Sequence, residues 1–375
     1  MPDASTPPPV KVRKSPSLFT LRFRRFRRLK RGWYSFLILI GTYLLSFFLP
    51  FFMGQRAIVV SYQGAWYYPV FKSYLYDTFG LTRQEIHLAQ VFGQTEVDGK
   101  PQFGETDYRA LKKQFADQKQ GNWVWLPLFS SGPNESFLAR AGNPPYPPSW
   151  DHWFGTDDRG RDILVRLAYG YRISISFALL VTVISYVLGV LTGAIVGYCG
   201  SWVDIIGVRL IEIWGSIPFL YTVIILAAIF KPSFILLVFI LSAFGWMGIA
   251  YYIRGEFLRE KSRDYVAGAM AVGEGHWTII THHILPNSLT PIITFAPFAI
   301  VAEITALVAL DFLGFGLPAP TPSWGELLGQ WKANYREWHL AVFPLMAMFI
   351  TLQLIVFIGE SIREAFDPKV FSRLR

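Results

Sequence analysis

Cysteine is nearly missing from this 375-residue chain: Cys199 stands alone. That excludes a disulfide within the chain, dithiol redox chemistry and a zinc site built on several thiolates. Charge is scarce, at 16% of residues against 52% hydrophobic and 17% aromatic. Such a balance belongs to a protein of several membrane spans. No G-x-x-x-x-G-K-[ST] phosphate loop occurs; the nearest approach, Gly93 to Gly99-Lys100, has the wrong spacing and runs into Pro101. Any nucleotide-driven process involving this chain therefore draws its energy from another subunit. The apolar runs hold no His or Cys cluster, so a membrane-embedded enzyme lacks convergent nucleophile, base or metal ligands. No catalytic residue and no metal ligand is expected.

The charge that is present, +9 net, is uneven. Lys11, Arg13, Lys14, Arg22, Arg24, Arg25, Arg27, Arg28, Lys30 and Arg31 all precede the first apolar run. Nucleic-acid binding is the tempting alternative, but a basic flank beside a span more often fixes orientation, and no nucleic-acid partner is expected. Residues 1–18 read as a disordered tail. Phe19, Phe23 and Phe26 then recur at helical spacing among arginines, a basic amphipathic helix suited to anionic membrane lipids on the cytoplasmic leaflet. Residues 33–52 are long and apolar enough to span. No small-residue cleavage site follows them, so they read as a retained anchor.

Five further runs qualify as spans: 173–198, 205–230, 233–253, 291–313 and 339–358. With the amino terminus inside, six spans return the carboxyl terminus inside and put loop 254–290 in the cytoplasm. Arg254, Arg259, Lys261 and Arg263 agree with that side, as do Arg363, Lys369, Arg373 and Arg375. The expected architecture is all-α and multi-pass. It comprises a cytoplasmic stretch 1–32, an anchor 33–52, an outer insert 53–172, a span bundle 173–358 and a cytoplasmic tail 359–375. The insert carries Arg159, Arg161, Arg166 and Arg172 against the inside bias, but long loops cross regardless of charge. Within it, residues 57–62 and 65–70 around Gln63-Gly64 read as a hairpin. Trp66, Tyr67, Tyr68, Trp123, Trp125, Tyr146, Trp150 and Trp153 supply material for a small core. Pro144, Pro145, Pro147 and Pro148 mark an extended linker. Two roles stay open for the insert: an exposed ornament, or a lid or docking surface at the outer mouth.

The polar interval 264–287, DYVAGAMAVGEGHWTIITHHILPN, organises the rest. Asp264 reads as an N-cap and 265–272 as a small-faced helix. Gly273 and Gly275 read as its break, because glycine enters positive φ without steric cost. Residues 277–285 read as a second helix that Pro286 ends. The product is either a plain connecting loop or a rigid lever whose small face a partner's surface can approach.

This spacing resembles the cytoplasmic coupling loop of ABC importer permeases, written E-A-A, three residues, G, with H-x-x-P-N downstream in peptide transporters. The E-A-A falls on Ala267, Gly268 and Ala269, the glycine on Gly273, and H-I-L-P-N on residues 283–287. The acidic position is Ala267 here and the first alanine is Gly268; the small face is kept. The candidate ATPase-coupling residues are then Ala267, Gly268, Ala269, Gly273, Glu274, His283, Pro286 and Asn287.

Other stretches carry the same resemblance in the right order. FGTDDRGRD at 154–162, with Arg166, Gly170, Arg172 and Ser174, is similar to the approach to the second span of dipeptide and oligopeptide permeases. Physically it is a charge-dense turn whose opposite signs can pair locally and anchor that span. DFLGFGLP at 311–318 and PSWGELL at 322–328 resemble an outer re-entrant turn. Gly359-Glu360, Arg363 and AFDP at 365–368 resemble the closing tail. VSYQGAWYYP at 60–69 and WVWLPL at 123–128 resemble the insert of the YejE-type permeases of oligopeptide and microcin C importers.

The resemblance implies the type I ABC importer (MetI-like) fold: six transmembrane helices with a large periplasmic insert between helices 1 and 2. It implies the bacterial inner membrane, with both termini cytoplasmic. The implied partners are a second permease subunit, two ATP-binding subunits or one fused ATPase, and a periplasmic peptide-binding protein. ATP and Mg are then used by the ATPase, and this chain binds no cofactor. Nickel and glutathione importers share the fold and remain alternative cargo classes. A channel working without ATP is a further rival, distinguished by flux in the absence of nucleotide.

Ionisable residues inside spans are functional candidates, because an unpaired charge there is costly. Glu212, three residues after Arg209, reads as a structural ion pair. Glu303 and Asp311 lie about two turns apart and roughly 80° around one helix, two candidates for a polar substrate pathway that takes a peptide's ammonium group. Capping of the re-entrant turn is the favoured reading of Asp311, while Glu303 stays open. Gly189, Gly193 and Gly197 recur every fourth residue, a helix-packing face in preference to a gate.

Overall fold

The structure, a computed structural model, describes residues 18–71, 94–97, 100–103, 106–138 and 142–367. The stretch before residue 18 and Pro368, Lys369, Arg373 and Arg375 lie outside the described residues. The chain begins with α1 (Leu18–Arg28), α2 (Lys30–Ser46) and the short α3 (Leu49–Phe52). The expected anchor 33–52 is thus interrupted at Phe47-Phe48. Pro50 is the cause, since it has no N–H to return to the carbonyl of Ser46. Phe26 of α1 is buried in a cluster with Ile358 and Phe366, while Phe23 stays 42% exposed.

The bundle is made of α5 (Ile163–Cys199), α6 (Ser201–Gly215), α7 (Phe219–Ile229), α8 (Phe234–Lys261), α12 (Thr290–Leu313) and α14 (His339–Phe366). Among the described residues, α5, α8, α12 and α14 are each long and apolar enough to cross a membrane. Helices α6 and α7 make a fifth only as a pair bent by 64°. The continuous span expected at 205–230 is corrected accordingly: Pro218 cannot donate to the carbonyl of Trp214, so the helix breaks after Gly215 and restarts at Phe219.

The glycine stripe of α5 packs face to face on α8. A Cβ on Gly193 would lie 2.5 Å from the Ala250 carbonyl oxygen, and one on Gly197 would lie 2.7 Å from that of Arg254. Gly189 abuts Ile249 and the Trp246 carbonyl. At one end of the bundle Ile163, Leu167, Ile304, Trp324 and Leu340 form a buried core. At the other, Ile253, Phe257, Val266, Ile279 and Ile284 do so.

Between α3 and α5 lies the insert. Strands β1 (Val59–Tyr62) and β2 (Ala65–Tyr67) pair antiparallel. Gln63 and Gly64 between them take φ 49° and 78°, the two left-handed residues that a two-residue hairpin turn needs. A separate hairpin joins β3 (Gln94–Val97) to β4 (Lys100–Phe103). Helix α4 (Tyr108–Gln118) follows, capped by the Asp107 carboxylate, and β5 (Trp123–Trp125) pairs the free side of β1. Alternation decides what this sheet buries. Val60 and Val124 face α4 and meet Tyr108, Leu111 and Phe115.

Most of the expected aromatic core is therefore on the outside. Trp66, Tyr68, Trp123, Trp125, Trp150 and Trp153 are exposed, Tyr67 is half-buried, and Tyr146 is buried. The aliphatic and aromatic face of α4, not the tryptophans, supplies the core. The proline-rich stretch 142–150 reaches α5 with no helix or strand.

Candidate functional site

Two polar assemblies stand at opposite ends of the bundle. The first begins at α9 (Asp264–Ala271). Arg263 occupies its N-cap position and no side chain caps the helix; Asp264 lies in the first turn, so the capping expected of it is corrected. Val266 and Ala269 are buried, while Ala267, Gly268 and Ala271 are exposed. A Cβ on Gly268 would meet nothing within 4 Å, so the small face is not covered by any of the described residues. Gly273 turns the backbone at φ +88°. Gly275 does not share that role: at φ −70° it is the N-cap of the short α10 (His276–Thr278).

A π-helical turn, Ile279–Ile284, leads into α11 (Leu285–Ser288). Pro286 therefore does not stop the second helix. It sits in the first turn of α11, where a missing N–H breaks no helical bond, and the widened turn makes room for its ring. At the apex, Val272 is 85% and Trp277 75% exposed.

A hydroxyl gathers this region. Tyr265 donates to Glu260 Oε2 at 2.7 Å and accepts from Asn287 Nδ2 at 3.3 Å. The same amide donates to the His283 carbonyl oxygen at 2.8 Å, and His283 Nε2 lies 2.8 Å from Glu274 Oε2. Glu274, His283 and Asn287 are thus brought together around the elbow. Gly273 forms its apex, Ala267 and Gly268 its open face, and Ala269 its buried side. Burial and the adjacent Glu260 carboxylate raise the Tyr265 phenol above its ordinary value. A second strut ties the elbow to α5: His276 Nδ1 is 2.7 Å from the Tyr198 hydroxyl, and Lys261 Nζ donates to the Tyr198 carbonyl at 2.6 Å. Sequence reasoning missed Tyr265, Glu260 and Tyr198. Tyr265 precedes its partners His283 and Asn287 by 18 and 22 residues, and no periodicity signals such a pairing.

At the far end, Asp157, Arg161 and Arg166 are buried. Arg161 Nε donates to Asp157 Oδ2 at 2.6 Å, the local pairing expected of a charge-dense turn. The rest of the network is not local. Arg161 Nη2 also donates to Glu326 Oε1 at 3.0 Å, and Arg166 pairs with Glu326 as well. Arg166 Nε is 3.5 Å from Asp157 Oδ2, and its Nη1 donates to the Pro133 carbonyl at 2.9 Å. One guanidinium thereby clamps the insert, the approach to α5 and the turn before α13 (Trp324–Ala333). Asp162 caps α5 and is held by His152 Nδ1 at 2.8 Å.

Asp311 belongs to this end. Its carboxylate accepts from the Leu317 N–H at 2.6 Å and from the Ser323 hydroxyl, and Ser323 in turn caps α13. Glu303 stands apart, half-buried on α12. A Cβ on Gly245 would lie 3.2 Å from Glu303 Oε1 and 2.6 Å from Ser185 Oγ. Glu303 makes no hydrogen bond or ion pair among the described residues. Arg209 and Glu212 pair at 2.5 Å on an exposed surface. Among the described residues, no group of three His, Cys, Asp or Glu could hold a metal ion.

Long apolar helices, four of them each able to cross a membrane, define an integral membrane protein. The chain belongs to the family of binding-protein-dependent transport system inner membrane components, matched over residues 189–372, and is a multi-pass inner-membrane protein. It is 38% identical to the inner membrane ABC transporter permease protein YejE of Escherichia coli (strain K12), over 92% of this chain and 96% of that one. It is 35% identical to the peptidoglycan transport system permease protein YejE of Agrobacterium fabrum, over 93% and 92%. Identity to the oligopeptide transport system permease protein OppC of Haemophilus influenzae is 38%, over 58% of this chain and 70% of that one. Among solved structures, inward-facing MetNI methionine ABC transporter is similar at a TM-score of 0.46 and 15% identity, over 54% of this chain and 96% of the other.

Proposed function

We propose that this chain is the translocating subunit of an ATP-driven importer of oligopeptides, microcin C-like peptides included. The observation that carries the reading is the elbow: a rigid, hydrogen-bonded helix pair whose apolar apex projects from a chain without a phosphate loop. The apex and the small face of Ala267 and Gly268 seat in grooves of the ATP-binding subunits, two chains or one fused pair. These subunits bind ATP and Mg; this chain binds no cofactor and catalyses nothing. A second permease completes the pathway, and a periplasmic binding protein delivers the cargo. ATPase closure moves the elbow, and the bundle switches between inward- and outward-facing packing.

In this reading six segments cross the membrane, α2 with α3 first and the bent α6–α7 pair third. Both termini and the elbow are cytoplasmic and the insert is periplasmic. Glu303, a carboxylate without a partner among the described residues, meets the cargo's ammonium group, while Asp311 holds the outer turn. Relatives named for dipeptides and oligopeptides support a peptide cargo. The peptidoglycan name of a relative that matches nearly the whole chain favours a second reading, peptide-bearing peptidoglycan fragments.

The test is reconstitution with the partner subunits and measurement of ATPase stimulation by oligopeptides and by peptidoglycan fragments. Gly273→Val is expected to abolish uptake while the protein still inserts and assembles. Normal uptake by that variant would remove the lever, and labelling of Trp277 from the periplasm would overturn the topology.

A further inference from the structure

At the elbow end, helices α8, α12 and α14 enclose with α1 a cavity of about 650 Å³, within the range of small-ligand sites. Its walls differ along the helix axes. Toward the middle of the bundle the stacked rings of Tyr252 and Phe295, 4.4 Å apart, make an apolar wall together with Pro291. Toward the elbow the lining is charged, with Arg22, Arg259 and Arg263 against Glu256 and Glu260. Three cations against two anions leave one positive charge.

The way these groups are engaged matters more than their number. Arg259 pairs with both Glu256 and Glu260. Arg22 and Arg263 form no ion pair among the described residues. The Arg22 guanidinium lies 5.0 Å from the Phe366 ring, and its Nε is buried with no hydrogen-bond partner among the described residues. A cavity lined by two arginines that form no ion pair among the described residues, with one net positive charge on its lining side chains and an aromatic wall leading into the spans, fits a ligand with one anionic group and an apolar tail. Basic pockets between spans at a membrane surface hold lipid headgroups on this principle.

We propose that this cavity binds one phospholipid, its phosphodiester on Arg22 and Arg263 and the first part of its acyl chains against Tyr252 and Phe295. A single phosphodiester neutralises the site; a second negative charge would face Glu256 and Glu260. Tyr265 and Asn287 line the same cavity, so an occupied site props the elbow from beneath. The assignment is independent of the cargo.

The test uses the full chain purified with its partner subunits in nanodiscs of phosphatidylethanolamine, phosphatidylglycerol and cardiolipin, then released into detergent for native mass spectrometry. The parent complex is expected to retain one more singly charged or zwitterionic phospholipid than R22Q/R263Q. R22K/R263K, which keeps both charges, is expected to retain it, and R209Q, at an exposed cation elsewhere, to leave retention unchanged. Stripping the lipid from the parent complex is expected to speed hydrogen exchange over residues 265–287 several-fold, an arm that needs no variant to fold. Equal retention by R22Q/R263Q overturns the site, and preference for cardiolipin overturns the charge match. Displacement of the bound lipid by inorganic phosphate alone marks a free-anion site instead. Unchanged exchange after stripping removes the link to the elbow.

Discussion

The two ends of this bundle use polar side chains in opposite ways. At the clamp end Asp157, Arg161, Arg166 and Glu326 answer one another; Arg166 is fully buried with Asp157 and Arg161, and Glu326 is half-buried at the edge. At the elbow end Val272 and Trp277 project, the small face of α9 is open, and Arg22 and Arg263 form no ion pair among the described residues. A buried ionic network that lost one member would leave a charge without water or partner, so it must be complete within the chain. An open apolar apex is tolerated only where another surface covers it. The clamp is thus a finished structure and the elbow a half-built one.

That contrast can be broken by substitution. The largest effect is expected from Arg166→Met, which leaves Glu326 and Asp157 short of a cation; thermal unfolding of the purified complex should report a loss of about 3–5 kcal/mol. A drop below about 1 kcal/mol would mean that water reaches the network. Gly193→Val drives a side chain into the Ala250 carbonyl and should cost about 1–3 kcal/mol by overpacking, measured in the same way. Trp277→Ala should leave stability within about 0.5 kcal/mol, because the ring is exposed, yet co-purification of the ATP-binding subunits should fall. Retention of those subunits at the parent level would mean that the apex is not their seat.

The smallest effect concerns Asp158, whose carboxyl is raised above the usual range by burial and then by the Asp157 carboxylate beside it. A raised folded-state value means the protonated form is favoured on folding. The ionised group therefore opposes folding at neutral pH, and the opposition disappears as pH falls below the ordinary carboxylate value. Asp158→Asn should raise the melting temperature slightly at pH 7 and not at pH 3.5. An equal rise at both pH values would assign the gain to something other than charge.

Much of this protein followed from sequence because local physics decides it. Run length placed four of the six expected apolar helices, two left-handed residues at Gln63-Gly64 set the hairpin, and the four-residue glycine period of α5 marked a close helix contact. Positive φ at Gly273 placed the elbow's apex. Other features rest on pairings between distant residues, which no local pattern encodes. Whether the tryptophans of β2 and β5 face a core or solvent was decided by the side of the sheet that α4 covers. Arg166 meets Glu326 across 160 residues, and Tyr265 collects Glu260 and Asn287 from separate helices. Propensity and periodicity act over a few residues, whereas a buried charge or hydroxyl takes whichever partner the packed helices bring within reach, and only the tertiary structure supplies that.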